Sequence, residues 1–164
     1  MDAQRGPRDH FLSKRVLIVG IGNDMRGDDA AGLLVVRRLR EMGVDADLRE
    51  CGGDGAEMMD LWRDAEETIL IDAVRSGAPP GTIHCFDACC EPIPAAFRNS
   101  PSTHLFSVAE AIELARSLLR LPPKMTVYGI EGGEFSLGTS PSPNVVGAIE
   151  RVVADVAGYL GSRG

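Results

Sequence analysis

The sequence predicts an α/β fold in which helices cover a largely parallel β-sheet. Short apolar runs alternate with amphipathic stretches along the whole chain, as expected when strands alternate with helices. The runs at 16–19 and 68–73 are almost wholly apolar, which is typical of strands that are buried on both faces. The length of 164 residues suits one domain, and a hydrophobic content of 44% is enough for a core.

Each element is predicted from the spacing of its apolar residues and from the turn residues that bound it. Strands are predicted at 16–19, 44–50, 68–73, 82–86 and 125–130. Helices are predicted at 29–42, at 55–63, from Thr103 to the prolines at 122 and 123, and from Pro143 onward. The third helix is identified by the helical spacing of Val108, Ile112, Ala115 and Leu119. Ser142 is expected to cap the fourth helix.

The two ends of the chain differ in character from its middle. Residues 1–14 are charged and contain no apolar segment, so we expect a flexible tail ahead of one domain at 15–161. No run approaches the roughly 18 consecutive apolar residues of a membrane-spanning helix. The four cysteines lack the spacing of a disulfide framework, so reduced thiols and a cytoplasmic location are expected.

The charge balance of the chain is acidic. The formal net charge is −7, from 17 Lys plus Arg and 24 Asp plus Glu. Nucleic-acid-binding proteins carry basic patches, and anionic membranes attract basic segments. The composition therefore argues against nucleic acid and against a membrane surface as partners.

A glycine-rich turn follows the first predicted strand and leads into two adjacent acids. Its glycines, Gly20, Gly22 and Gly27, are spaced GxGxxxxG, whereas the dinucleotide-binding fingerprint is GxGxxG. Asp28 and Asp29 would also repel a pyrophosphate at the start of the helix. A nucleotide-binding module is therefore kept only as an alternative. Aspartate at the start of a helix is commonly a cap, and we assign that role to Asp28.

Three side chains that can bind metal fall at equivalent places in the predicted fold. Asp29 follows the first strand, Asp72 closes the strand at 68–73, and His104 begins the helix after the long loop. The C-terminal ends of parallel strands share one edge of the sheet, which is where ligands bind in such folds. Two carboxylates and one imidazole suit a divalent transition metal with open positions left over. In the structural alternative, Asp29 is a second cap and Asp72 bonds a neighbouring loop.

The other histidines and the cysteines match no known site. His84 lies inside a predicted strand and His10 in the tail, and we interpret both as structural or incidental. The cluster of His84, Cys85, Cys89 and Cys90 matches no zinc-knuckle spacing, and adjacent cysteines cannot easily take two tetrahedral vertices. The sequence contains no GxSxG motif of the kind that would indicate a serine nucleophile.

Four segments resemble the hydrogenase maturation endopeptidases, the proteases that process the large subunit of nickel–iron hydrogenases. They are GIGNDMRGDDAAG around Asp29, LIDAVRSGAPPGTI around Asp72, SPSTHLFSVAEAIELA around His104, and VYGIEGGEF followed by SPSPNVV near the C-terminus. The resemblance covers roughly 16–160, and it depends on the order and spacing of the motifs together. The turn CGGDGAEMM differs from the run of small residues in many members, and Cys89 and Cys90 belong to no family motif that we can place.

The resemblance implies a three-layer α/β/α sandwich of the phosphorylase/hydrolase type, with a mixed, mostly parallel five-stranded sheet and one antiparallel strand. It implies an endopeptidase that removes the C-terminal extension of a nickel–iron hydrogenase large-subunit precursor after nickel insertion. Asp29, Asp72 and His104 are then the catalytic residues and the contacts to nickel, which the substrate presents and the protein does not hold permanently. We expect a monomer. A scaffold that binds a hydrogenase partner without cutting it is the other alternative.

Overall fold

Five strands form one sheet in the computed structural model, which describes residues 15–98 and 108–163. The strands are β1 (Leu17–Ile21), β2 (Asp47–Cys51), β3 (Glu67–Val74), β4 (Ile83–Asp87) and β5 (Lys124–Glu131). Their order across the sheet is β2-β1-β3-β5-β4, and of these strands only β4 runs antiparallel to its neighbour. The predicted mixed, mostly parallel sheet is confirmed.

Helices cover both faces of this sheet. They are α1 (Ala31–Glu41), α2 (Gly55–Trp62), α3 (Val108–Ser117) and α4 (Pro143–Gly161). α1 and α4 pack on one face, where Ile18, Ile71 and Val152 belong to the same buried cluster. α2 and α3 pack on the other face, around Leu70 and Ile112. The helices therefore form the two outer layers of the predicted sandwich.

β3 is central because both of its faces are mainly apolar. All eight of its residues are buried, and it pairs with β1 on one side and with β5 on the other. β2 and β4 are half-buried edge strands, which fits the weak apolar pattern at 44–50. The last residues of this central strand lie at the carboxyl edge of the sheet, where the parallel strands end, and Asp72 is among them.

The chain enters its first helix through a tighter turn than predicted. Gly27–Ala30 forms a 3-10 turn, and α1 begins only at Ala31. The backbone N–H of Asp28 donates a hydrogen bond to the carbonyl of Glu134 at 2.8 Å. The turn is therefore bonded to a loop that is distant in the sequence.

Leu119 does not belong to the apolar face of the third helix, contrary to the prediction. α3 ends at Ser117, and Leu119 is 93% exposed with a left-handed φ of 55°. The N–H of Arg120 donates to the carbonyl of Ala115 at 2.8 Å. The N–H of Leu119 donates to the carbonyl of Arg116 at 3.2 Å, which completes a Schellman motif. Leucine thus occupies the position that glycine usually takes in this motif.

Replacing Leu119 by glycine is expected to raise the free energy of unfolding by about 1 kcal/mol. The left-handed conformation costs a residue with a Cβ about 1–2 kcal/mol, and the greater freedom of glycine in the unfolded chain offsets part of that gain. No packing is lost, because the side chain is exposed. Chemical denaturation measures the change. Leu137→Gly is the control, since Leu137 is 77% exposed and has no positive φ, and an equal loss of stability in both variants would contradict the expectation.

Some predictions fall on residues 1–14, 99–107 and Gly164, which lie outside the described residues. They concern the flexible tail, the start of the third helix and His104. The described part of the loop predicted at 89–101 contains a second 3-10 turn, Ala95–Arg98. Within the described ranges, no helix is long and apolar enough to cross a membrane.

Candidate active site

The amino end of α1 lies directly against the sheet because Gly32 has no side chain. A Cβ at this position would lie 2.2 Å from the carbonyl oxygen of Ile71 and 2.5 Å from that of Ile21. Any side chain would therefore push the helix away from β1 and β3. The sequence interpretation considered only Gly27 as the third glycine of the motif, and it missed that Gly32 provides the close approach between helix and strand. The available signal was a glycine one turn into an amphipathic helix.

This close approach brings Asp29 and Asp72 to the same edge of the sheet. Asp29 lies in the 3-10 turn that follows β1, and Asp72 lies near the carboxyl end of β3. The two strands are parallel neighbours in the sheet. The side chains are buried, with exposed fractions of 6% for Asp29 and 8% for Asp72. Two of the three predicted site residues thus lie together in the described structure.

The two acids affect each other electrostatically. Burial, and after it the charge of Asp29, raises the pKa of Asp72 well above its ordinary value of 3.8. A hydrogen bond from the backbone of Ala73 opposes this shift. A cation near two buried carboxylates removes their mutual repulsion, so the pair favours a bound metal ion or a shared proton. Carboxylates are suitable, though not strongly selective, ligands for a divalent transition metal.

The third predicted contact, His104, lies outside the described residues. Within 15–98 and 108–163, no group of three or more His, Cys, Asp or Glu side chains is arranged to hold a metal ion. The described structure therefore supplies Asp29 and Asp72. A third ligand would come from His104 or from a bound substrate.

Asp28 anchors the loop that follows β5. Its side chain is fully buried. Oδ2 accepts hydrogen bonds from the N–H groups of Gly133 and Glu134, each at 2.8 Å. Oδ1 accepts a hydrogen bond from the N–H of Ser142 at 2.6 Å, and the Ser142 hydroxyl donates to Oδ2 at 3.1 Å. One carboxylate thus ties the turn that carries Asp29 to both ends of this loop.

The predicted capping by Asp28 is therefore wrong, whereas the predicted N-cap position of Ser142 is confirmed. Neither the 3-10 turn nor α1 has a side-chain cap. Ser142 does occupy the N-cap position of α4, with Pro143 following it, but its hydroxyl bonds to Asp28 and makes no cap. Burial acts to raise the pKa of Asp28, but the hydrogen bonds outweigh burial and lower the pKa below 3.8. The carboxylate therefore stays ionised in its buried position.

Main-chain hydrogen bonds extend this connection on the solvent side of the turn. The N–H of Gly27 donates to the carbonyl of Thr139 at 3.1 Å. The N–H of Gly138 donates to the carbonyl of Met25 at 2.7 Å. The position of Asp29 is thus fixed by the loop after β5 as well as by α1.

Glu131 is a further buried acid at this edge, and the sequence analysis gave it no role. It is 1% exposed and accepts hydrogen bonds from the N–H and the hydroxyl of Ser76 at 2.8 and 2.7 Å. The N–H of Gly77 donates to it at 3.0 Å, and Nε2 of His84 lies 3.3 Å from Oε2. Glu131 therefore fixes the loop directly after β3. The available signal was an acid that closes an apolar strand, as Asp72 does.

None of the four thiols has the character of a nucleophile. Burial raises the pKa of Cys51 to about 11, and it also raises the pKa of Cys85 and of Cys89. The pKa of the exposed Cys90 is raised by its hydrogen bond to Asp87. A thiol with a raised pKa stays protonated near neutral pH, whereas the reactive form is the thiolate.

The fold and the site together define an α/β sandwich with an acidic centre at the carboxyl edge of its sheet. The profile of the hydrogenase maturation protease family matches residues 33–158. The chain belongs to this family and is therefore a peptidase. The matched range includes Asp72 and His104 and begins shortly after Asp29.

Individual relatives agree with this assignment. The hydrogenase 2 maturation protease of Escherichia coli (strain K12) is 29% identical over 148 residues, which span 85% of this chain and 89% of that protein. The solved structure of the hydrogenase maturating endopeptidase HybD from E. coli has a TM-score of 0.72 at 27% identity, and covers 92% of this chain and 94% of that one. The [NiFe] hydrogenase maturation protease HycI from Thermococcus kodakarensis KOD1 has a TM-score of 0.68 at 26% identity, and covers 90% and 93%.

Family membership decides one of the alternatives left by the sequence. The resemblance carried by the four segments is confirmed, and so is the fold that it implied. Because the chain belongs to a protease family, the nucleotide-binding module is no longer a candidate.

Proposed function

We propose that this protein removes the C-terminal extension of the large-subunit precursor of a nickel–iron hydrogenase after the precursor has received its nickel. The observation that carries the proposal is the buried pair of Asp29 and Asp72 in a chain of the hydrogenase maturation protease family. In this proposal the two carboxylates, together with His104, contact nickel that the precursor holds.

The ligand chemistry supports a transient contact. Two carboxylates and an imidazole compete poorly for nickel with the thiolates of a cysteine-rich substrate site. Contact with a cation relieves the repulsion between Asp29 and Asp72, whereas a nickel-free precursor leaves that repulsion in place. The acid pair can therefore distinguish a loaded precursor from an empty one.

The reaction is the hydrolysis of one peptide bond. The oxygen of a water molecule bonds to the carbonyl carbon at the cut, the carbon–nitrogen bond breaks, and a proton passes to the departing amine nitrogen. The water is activated at the acid site, by a carboxylate or by the nickel of the substrate. The raised pKa of each thiol argues against a cysteine nucleophile.

Purified protein incubated with nickel-loaded and nickel-free precursor tests this proposal. We expect only the loaded precursor to lose its C-terminal peptide, measured by mass spectrometry of the intact subunit. His104→Ala and Asp29→Asn are expected to abolish the loss while the circular dichroism of the fold is retained. Asp47→Asn is the matched control, because Asp47 is the first residue of β2 and so lies at the amino ends of the strands, away from Asp29 and Asp72.

Two outcomes would contradict the proposal. Cleavage of the nickel-free precursor at the full rate would show that the protein does not recognise nickel. A stable complex with the precursor that never shortens the large subunit would favour the non-proteolytic scaffold.

A further inference from the structure

An apolar pocket adjoins Asp72 on the face of the sheet that α3 covers. Its lining includes Asp72, Val74, Phe97, Val108, Ile112 and Gly129. Asp72 belongs to both the pocket and the acid pair, so the pocket is continuous with the candidate active site. A side chain in this pocket would therefore lie beside the carboxyl group of Asp72.

Gly129 makes room for the pocket. It pairs with Asp72 across β3 and β5, so the two residues lie side by side on the sheet. A Cβ on Gly129 would lie 3.2 Å from Cε1 of Phe97 and 3.2 Å from both γ-carbons of Val74. These distances are tighter than ordinary van der Waals contact, so even one methyl group would narrow the space.

The aromatic wall of the pocket is held in a defined orientation. The ring of Phe97 stands edge-on to the ring of His84, with centroids 4.9 Å apart and an angle of 81° between the planes. Phe86 packs against Phe97 with centroids 5.5 Å apart. His84 is in turn beside the buried Glu131. The shape of the pocket is thus set by packed side chains from β4, from β5 and from the second 3-10 turn, Ala95–Arg98.

The size and chemistry of the pocket restrict what can occupy it. Its volume of about 20 Å³ slightly exceeds the roughly 10–15 Å³ that one water molecule requires. A buried water needs two to four polar partners, and the walls other than Asp72 are mainly hydrocarbon. An aliphatic group of one or two methyls is therefore the favoured occupant.

We propose that this pocket receives a small aliphatic side chain, alanine to valine in size, from a substrate residue that adjoins the cleaved peptide bond. The inference rests on the proposed function, since it places the cut at Asp29 and Asp72. A side chain seated in the pocket positions its own backbone at Asp72. The pocket then contributes to the choice of the cleavage position.

A panel of nickel-loaded precursors tests this inference. Each of the two residues that flank the cut is replaced in turn by Gly, Ala, Val, Trp and Asp, and kcat/KM is measured for each precursor. At one of the two positions we expect Ala or Val to be cleaved at least about tenfold faster than Gly, Trp or Asp. Equal rates for all five residues at both positions would overturn the inference.

Gly129→Ala gives the complementary test on the protein. We expect kcat/KM for the Val precursor to fall about tenfold relative to the Ala precursor, because the added methyl narrows the pocket. Gly147→Ala is the matched control, since a Cβ there meets nothing within 4 Å. An equal loss on both precursors would overturn the inference.

Phe97→Leu covers the case in which Gly129→Ala does not fold. Loss of the aromatic wall enlarges the pocket, so kcat/KM for an additional precursor with leucine at this position of the substrate is expected to rise relative to the valine precursor. An unchanged ratio would overturn the inference. A wild-type protein that cleaves no precursor at all would instead overturn the proposed function, and the pocket assignment with it.

Discussion

Asp28→Asn is expected to lower the free energy of unfolding by about 2–4 kcal/mol and to slow cleavage roughly tenfold. The carboxylate is fully buried and accepts four hydrogen bonds, three at Oδ2 and one at Oδ1. An asparagine amide has only one acceptor atom. Even in its better orientation, its NH2 group faces the N–H of Ser142, which donates at 2.6 Å in the wild type. That donor then stays buried without a partner, and the remaining bonds lose their charge.

The effect of Asp28→Asn on activity follows from what the carboxylate connects. It joins the turn that carries Asp29 to the loop after β5, so it is a positioning residue and does not itself react. We therefore expect kcat to fall more than KM rises, measured at a temperature where the variant is fully folded. An unchanged kcat would contradict the positioning role.

The difference in the free energy of unfolding between wild type and Asp28→Asn should also depend on pH. The pKa of Asp28 is lowered in the folded protein, so its contribution to stability is present above the unfolded value of 3.8 and is lost as the pH falls through the folded value. The gap between wild type and Asp28→Asn should be constant near neutral pH and should narrow below about pH 4. Asp54→Asn is the control: Asp54 caps α2 from an exposed position, and asparagine caps as well as aspartate.

The sequence predicts the strands and their class of fold well because their signals are local. The apolar run at 68–73 is long enough to identify a strand buried on both faces, and it became β3 with one more residue at each end. The weak apolar pattern at 44–50 predicted a strand without its place in the sheet, and it fits the half-buried outer position of β2. That one strand runs antiparallel came only from the family resemblance, and the structure shows that this strand is β4.

The errors at Asp28 and Gly32 share a physical cause, which is a partner far away in the sequence, whereas the error at Leu119 is local. Asp28 looks like a cap from its local context, but its hydrogen-bond donors lie 105 to 114 residues further on. Gly32 is needed because, in the folded protein, a Cβ on this residue would collide with the carbonyl oxygen of Ile71 in β3. Leu119 fits the helical period, but the chain had already turned at Ser117. Asp29 and Asp72 could be paired because parallel strands share one edge, a rule that needs no contact information.

Asp72→Asn is expected to abolish cleavage and, at pH 7, to raise the free energy of unfolding by about 1 kcal/mol, or Tm by about 2–4 °C. Burial and the charge of Asp29 raise the pKa of Asp72 in the folded protein, so ionising this carboxyl there is unfavourable. Asparagine has nearly the same shape and carries no charge. The variant therefore removes the repulsion together with a proposed nickel contact.

The pH dependence distinguishes this explanation from a simple packing effect. Because the folded pKa is raised above the unfolded value of 3.8, wild-type stability falls as the pH rises from about 4 towards the folded pKa. Below about pH 4 the carboxyl is protonated in both states, so wild type and Asp72→Asn should unfold at nearly the same temperature. Asp47→Asn is the control: it removes a half-buried carboxylate that pairs with Arg49, and it should not reproduce the gain in stability at pH 7. A stabilisation by Asp72→Asn that is equal at pH 3 and pH 7, or a loss of stability at both, would show that the charge of Asp72 does not oppose folding.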